Sequence, residues 1–148
     1  MYFVDHKKLA RTLDYFKTLL DSYEKAQFET KIEKLALERI CHMMIESFLD
    51  ISNMMIDGFV MRDPGSFQDI VEIMADEKVI PEDEKQAYME LISLRNVLIK
   101  EYTELDHALI KEKIDKHLDI YKRYHSRILL YLKEESVVAN TFTNEDLN

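Results

Sequence analysis

The sequence predicts an all-α protein, an antiparallel bundle of four long helices and one short helix. Only two glycines and two prolines occur among 148 residues, which disfavours a sheet protein with many tight turns. Apolar residues make up 47% of the chain and recur at spacings of three and four, the period of amphipathic helices. We expect a single domain over residues 1–135 and a frayed or disordered tail over residues 136–148, where this period is lost.

The first two helices have clear start signals. Asp5 is predicted to cap the first helix, whose apolar stripe consists of Leu9, Leu13, Phe16, Leu20 and Tyr23. A second helix should run from about Thr30 to Asp57 and stop at Gly58 in the left-handed conformation. Its wide apolar face predicts a central helix buried on more than one side: Ile32, Leu35, Ala36, Ile40, Met43, Met44, Phe48, Ile51, Met54 and Met55.

Further helices complete the predicted bundle. Ser66 should cap a short helix, with Asp69 at the capping-box position. Pro81 fits the first turn of a fourth helix, whose apolar positions include Tyr88, Met89, Ile92 and Leu98. The last helix is predicted as one continuous element, because its stripe keeps near-ideal spacing: Ile110, Ile114, Leu118, Tyr121, His125, Ile128 and Leu132.

Charge and composition argue against several classes of function. The net charge of −9 disfavours broad binding to phosphates, so no DNA partner is expected. No apolar run approaches the roughly 18 residues needed to span a bilayer, so no membrane partner is expected. The N-terminus lacks a signal-peptide apolar segment, and the single Cys41 cannot form an internal disulfide. Both observations favour a cytoplasmic location.

The stretch LRNVLIKEYTELD, Leu94 to Asp106, places several polar residues beside an apolar helix face. Arg95 and Tyr102 are seven residues apart and share one side of a regular helix. Arg95 and Lys100 are five residues apart, about 140° around the axis. The three side chains therefore converge only if the helix loosens near Lys100 or a second subunit supplies the missing group. The alternative is an ordinary bundle helix with solvated charges.

This stretch resembles the signature Arg-Asn-x-Leu-x-His-x-Tyr of HepT-like proteins, the minimal members of the HEPN superfamily. Arg95, Asn96, Leu98 and Tyr102 match the signature, whereas Lys100 stands where the family has histidine.

Two other segments extend the resemblance. LALERICHMMIESFLDISNMMI, Leu35 to Ile56, is similar to the family's long second helix. DPGSFQDIVEIMADEKVIP, Asp63 to Pro81, is similar to its loop, short helix and turn. The resemblance thus covers residues 35–106 and implies a HEPN-like bundle.

The resemblance implies a metal-independent endoribonuclease that needs no cofactor and acts as a homodimer. Two copies of the motif would face each other across a two-fold axis and form one cleft for RNA. Arg95 would bind the scissile phosphate, and Asn96 belongs to the same catalytic motif. The family histidine would move protons during attack by the RNA 2′-hydroxyl.

Lys100 changes this expectation. A lysine ammonium is protonated in neutral water, so Lys100 can stabilise phosphate charge together with Arg95. It could act as a base only if burial or a neighbouring arginine lowered its pKa by several units. We therefore expect RNA binding at Arg95 and Lys100 with weak or absent cleavage.

Tyr102 matches a second family feature. In several HepT systems a nucleotidyltransferase antitoxin adds AMP to this tyrosine and blocks the cleft. By resemblance, Tyr102 is a candidate modification site and a nucleotidyltransferase is a candidate partner. The alternative is a tyrosine that fills the end of the bundle with its hydroxyl in water.

A polar strip on the second helix offers a rival, metal-binding interpretation. Glu38, His42, Glu46 and Asp50 recur every four residues, and Glu104 and His107 add one further pair. A di-metal bundle needs two Glu/His pairs on facing helices plus two more inward glutamates, and only one pair is present. No metal site is therefore predicted, and the strip is expected to be solvated with local pairing.

Three classes of function follow. The first is a HepT-like ribonuclease of toxin–antitoxin type, working at a dimer interface near Met89, Ile92, Val97 and Ile99. The second is a non-catalytic HEPN binding module for a nucleotidyltransferase. The third is a purely structural helical dimer. RNA turnover separates the first from the others, and binding of a nucleotidyltransferase separates the second from the third.

Overall fold

In the computed structural model, described here for residues 4–147 and for the side chains of residues 4–135, every regular element is helical. The α-helices are α1 (His6–Lys25), α2 (Lys31–Gly58), α3 (Phe67–Asp76), α4 (Lys85–Lys100), α5 (His107–Lys116) and α6 (Leu118–Leu147). A 3₁₀ turn, Glu82–Glu84, leads directly into α4. The all-α bundle is confirmed. The predicted tail, residues 136–148, lies outside the described side chains, so the proposed domain boundary stays a prediction.

The predicted starts of the first three helices are confirmed, because each depends on short-range chemistry. The fourth start is wrong, because Pro81 precedes the 3₁₀ turn and α4 itself begins at Lys85. The Asp5 carboxylate accepts from the Lys8 N–H, and the Thr30 hydroxyl and the Glu33 carboxylate form a complete capping box. The Ser66 hydroxyl accepts from the Asp69 N–H at 3.0 Å. The Asp69 carboxylate itself accepts from the N–H of Gly65, one residue earlier than a standard capping box requires.

The end of α2 differs from the prediction. Gly58 is helical and buried, and the left-handed residue is Val60, with φ 56°. The Met61 N–H donates to the Ile56 carbonyl at 2.9 Å, and the Val60 N–H donates to the Asp57 carbonyl at 3.4 Å. These are the two hydrogen bonds of a Schellman ending. Gly58 therefore continues the helix, and the chain reverses two residues later.

The predicted last helix is two helices. His117 interrupts it with φ −119° and ψ 16°. The His117 imidazole forms a close hydrogen bond with Glu90 of α4, which fixes the corner. The apolar stripe continues across the break, which is why its spacing alone did not reveal it.

An aromatic cluster joins the helices at the centre of the bundle. Phe48 of α2 stacks on Tyr88 of α4 with ring centroids 4.8 Å apart, and Tyr124 of α6 packs against both. The Tyr124 hydroxyl lies 2.8 Å from the Ser52 hydroxyl, so its polar end is satisfied although the ring is buried. Helices α1, α2, α4 and α6 thus form one core.

The N-terminal end of α2 does not enter this core. Ile32 is 78% exposed, Leu35 is 53% exposed and Ala36 is also exposed, so the prediction that these three are buried is wrong for the single chain. At this end of α2 the buried face is supplied by Leu37, Cys41 and Ile45 instead. An apolar surface therefore remains open beside the end of α4.

Candidate functional site

Arg95 lies on α4 and is fixed by groups from two other helices. Its Nε donates to Glu46 Oε1 of α2 at 2.6 Å. Its guanidinium carbon lies 4.7 Å from the centroid of the Phe67 ring, at the start of α3. A planar cation held by a carboxylate at one edge and a ring at its face is pre-organised. Within residues 4–135 its two terminal amino groups have no hydrogen-bond partner, which leaves a pair of donors for a phosphate.

Glu46 also contacts a second side chain. His42 lies one helical turn earlier on α2, with Nε2 3.5 Å from the same oxygen, Glu46 Oε1. The three side chains are all partly buried, so they are ordered yet reachable from solvent. A cation, a carboxylate and an imidazole therefore form one contact chain across α2 and α4.

The other signature residues are not drawn into this chain. Asn96 and Lys100 are exposed, and Lys100 is the last residue of α4. Among the described residues, no ion pair or hydrogen bond joins Arg95 to Lys100 or to Asn96. The helix stops where the sequence suggested that it would loosen, but one chain alone does not bring Arg95, Lys100 and Tyr102 together. Their catalytic and RNA-binding roles stay predictions.

Tyr102 lies in the turn after α4 and is 66% exposed. It borders a cavity of about 410 Å³ together with Leu35 and Glu38 of α2 and His107 of α5. Lys31 and Lys34 line the same cavity. The exposed position is compatible with a modification site and differs from a tyrosine that fills the bundle end.

The polar strip of α2 pairs with other helices rather than along α2 alone. Glu38 Oε2 lies 2.8 Å from His107 Nε2, while Glu46 pairs with Arg95. His107 thus pairs with α2, and the sequence pair with Glu104 is not its contact. In the part of the chain with described side chains, no group of three or more His, Cys, Asp or Glu residues is close enough to hold a metal ion.

Cys41 is adjacent to His42 in sequence but points into the core. It is fully buried, and burial raises the pKa of its thiol to about 12. A thiolate nucleophile is therefore absent from this site at neutral pH.

Sequence reasoning missed the partners of Arg95. Glu46 and His42 were recognised only as members of a polar strip, and Phe67 was not singled out. These two polar residues interrupt the apolar surface of α2. Such an interruption indicates that a residue on a neighbouring helix could pair with them. The expected apolar dimer surface was partly wrong, because Ile92 is buried in the core of the single chain, whereas Ile99 is exposed.

Comparison with known proteins defines the class. The family model Ribonuclease HepT-like matches residues 9–128. The chain belongs to the HepT-like ribonuclease family.

A particular relative extends the match to the whole chain. The protein described as "Putative RNase YutE" of Bacillus subtilis (strain 168) is 40% identical over 143 residues, which cover 96% of this chain and 99% of YutE. A solved structure of YutE from Bacillus subtilis, described as a cytosolic protein of unknown function, superposes with a TM-score of 0.88. That match is 40% identical and covers 91% of this chain and 95% of the other.

None of the helices in the described part of the chain is both long and apolar enough to cross a bilayer.

Proposed function

We propose that this HepT-like protein binds and cuts RNA, slowly, in a cleft at the two-fold axis of a homodimer. The observation that carries the proposal is the fixed guanidinium of Arg95, with two donors open to solvent. Bidentate donors of this kind match a phosphodiester. Family membership supplies the reaction class, cleavage of RNA. The resemblance of the signature implies that this cleavage needs no metal ion.

The slow rate follows from position 100. Lys100 stands where the family signature has an imidazole, so the family's general acid–base group is missing from this position while an amine remains to contact the phosphate. A local basic site also fits a chain of net charge −9, because only the cleft needs to attract RNA.

The dimer proposal is supported by the open apolar surface around the motif. Ile32 and Leu35 of α2, Ile99 of α4 and Tyr102 are all exposed in the single chain, although large apolar side chains are usually buried. A second copy that covers this surface would bring two Arg95–Lys100 motifs together. Closed two-fold dimers are the commonest assemblies.

The proposed biological role is that of a toxin controlled by a nucleotidyltransferase antitoxin. Its support is the family resemblance and the exposed Tyr102, whose hydroxyl a partner enzyme can reach. We propose a cytoplasmic location, supported by the description of YutE as a cytosolic protein. The second candidate function is a non-catalytic binding module for a nucleotidyltransferase, which the lysine at position 100 favours.

RNA affinity of the Arg95→Ala variant tests the proposal. Loss of a charge-assisted phosphate contact should weaken binding of a short single-stranded RNA about 10-fold or more. The dependence of log affinity on log salt should become shallower by about one for each arginine removed. Lys122→Ala is a matched control, since Lys122 is an exposed cation on α6 that pairs with Glu24.

The proposal requires that Lys122→Ala bind RNA like wild type. Equal affinities for wild type and Arg95→Ala, with both proteins folded by circular dichroism, would remove Arg95 from the RNA site. If RNA binds but is not cut when the protein is in excess, the non-catalytic binding module is supported instead of the ribonuclease.

A further inference from the structure

His42 of α2 shares a carboxylate partner with Arg95, in a chain whose signature lacks its own histidine. Along α2, His42 lies midway between Glu38 and Glu46. Glu46 bonds Arg95, and Glu38 shares a cavity with Tyr102. Because α2 rises about 1.5 Å per residue, each of these two positions lies about 6 Å from His42 along the axis. His42 is therefore level with the middle of the stretch between Arg95 and Tyr102.

His42 lies beside a carboxylate that can orient its ring. Its Nε2 faces Glu46 Oε1 at 3.5 Å, and the same oxygen accepts from Arg95 at 2.6 Å. A neutral imidazole with its proton on Nε2 leaves the Nδ1 lone pair available, and within residues 4–135 no hydrogen bond occupies Nδ1. In enzymes that activate a nucleophile with a general base, a third group commonly orients that base, and a carboxylate can do this for an imidazole.

The surroundings of His42 carry both signs of charge. Glu46 is the nearest acid and Arg95 faces it from α4. On the α1 side, Arg11 and Asp50 border a cavity of about 280 Å³ that Glu46 also lines. The contacts thus place one guanidinium, one carboxylate and one imidazole at the proposed phosphate site.

We propose that His42, and not Lys100, takes the proton from the attacking 2′-hydroxyl of RNA. This rests on the proposed function, because it needs RNA bound at Arg95. The 2′-O–H bond breaks and its proton passes to His42 Nδ1, while the 2′-oxygen forms a bond to phosphorus. The bond from phosphorus to the 5′-oxygen breaks, and that oxygen takes a proton from water. The hydroxide left behind takes the proton back from His42. The products are a 2′,3′-cyclic phosphate and a 5′-hydroxyl.

The test is the pH dependence of single-turnover cleavage of a short RNA, with protein in excess and EDTA present. The wild-type cleavage rate should fall as the pH is lowered, which gives the pH–rate profile an acidic limb, because imidazole must be neutral to accept a proton. His42→Asn should lower the rate about 100-fold or more and abolish that limb, while RNA affinity changes less than about two-fold. Free imidazole should partly restore the rate of His42→Ala.

His125→Asn is the matched control. His125 is also partly buried and also lies near a carboxylate, with Nε2 3.6 Å from Asp14 Oδ1, but it is on α6. Its substitution should leave rate and pH profile unchanged. Lys100→Ala should keep the acidic limb.

Two results would overturn the assignment of His42 while leaving the proposed function standing. One is a His42→Asn protein that cuts RNA at the wild-type rate with the same limb. The other is loss of the limb in Lys100→Ala alone. A wild type that binds RNA at Arg95 but never cuts it overturns the assignment and supports the binding module. A wild type that neither binds nor cuts RNA overturns both proposals.

Discussion

At Arg95 the guanidinium is held in place while part of it stays open to solvent. Glu46 neutralises one edge at 2.6 Å and Phe67 covers one face, so the side chain loses little further freedom when a phosphate binds. The same carboxylate oxygen lies 3.5 Å from His42 Nε2, so the proposed phosphate-binding group and an imidazole share one carboxylate. The site is therefore built from three helices, although the signature that identifies it lies on one.

Lys100→His should increase RNA cleavage. With His42 as the base, an imidazole at position 100 would supply a near-neutral acid for the departing 5′-oxygen, a contribution of about 100-fold or more. The pH–rate profile should change from a single acidic limb to a bell. Single-turnover rates measured from pH 5 to 9 check this.

Lys113→His controls for the added imidazole, because Lys113 is an exposed lysine on α5. A Lys100→His protein that binds RNA as wild type does but cuts it no faster would show that position 100 does not reach the 5′-oxygen.

Sequence alone identified Arg95, Asn96, Lys100 and Tyr102 as site candidates, because the signature is a local pattern. The pairing of Glu46 with Arg95 was not predictable in the same way, since the residues are 49 positions apart. That contact depends on how α2 lies against α4, which apolar spacing does not specify. The roles of all these residues remain predictions that the experiments above address.

Among the elements, the ends of α2 and α3 share an unusual feature. Val60 and Lys78 have φ values of 56° and 61°, a left-handed conformation that glycine adopts more readily. At both places the next N–H bonds back into the last helical turn, Met61 to Ile56 and Val79 to Met74, each at 2.9 Å. The hydrogen bonds and the buried residues that follow impose the conformation.

Val60→Gly should stabilise the fold. The β-branched side chain is strained at φ 56° and is 74% exposed, so its removal sacrifices little packing. The relieved backbone strain is larger than the entropic cost of the more flexible unfolded chain that glycine gives. The free energy of unfolding should therefore rise by about 0.5–1 kcal/mol. Urea unfolding followed by circular dichroism measures the free energy of unfolding.

Val60→Ala is the control, because alanine keeps a Cβ and should gain much less than glycine. A Val60→Gly protein that is less stable than wild type would mean that the valine side chain contributes packing that outweighs its strain.

Helix starts were predictable and helix ends were less so. Asp5, Thr30 and Ser66 cap their helices through bonds to residues three positions away, so the sequence carries the full signal. The left-handed residue after α2 was wrongly assigned to Gly58, because burial keeps that glycine helical. The break between α5 and α6 at His117 depends on Glu90, 27 residues away, so no local sequence pattern predicts it.

At the scale of the whole molecule, the proposed RNA site is incomplete in one chain. Arg95 and Lys100 do not meet within it, and the apolar end of α2 beside Tyr102 is uncovered. A second copy across a two-fold axis accounts for both facts. The central claim is therefore that RNA cleavage belongs to the dimer.

The most direct test measures two properties of the same chromatographic fractions: molar mass by light scattering, and RNA cleavage. The proteins compared are wild type, Leu35→Glu and Leu129→Glu. The two leucines are comparably exposed, at 53% and 48%, but Leu129 lies on α6, away from the signature. Wild type and Leu129→Glu should elute at twice the 17.7 kDa of one chain, with cleavage in that peak. Leu35→Glu should be a folded single chain with cleavage lost, because a buried charge in the interface separates the two motifs. A folded Leu35→Glu protein of single-chain mass that cuts RNA at the wild-type rate would contradict the account.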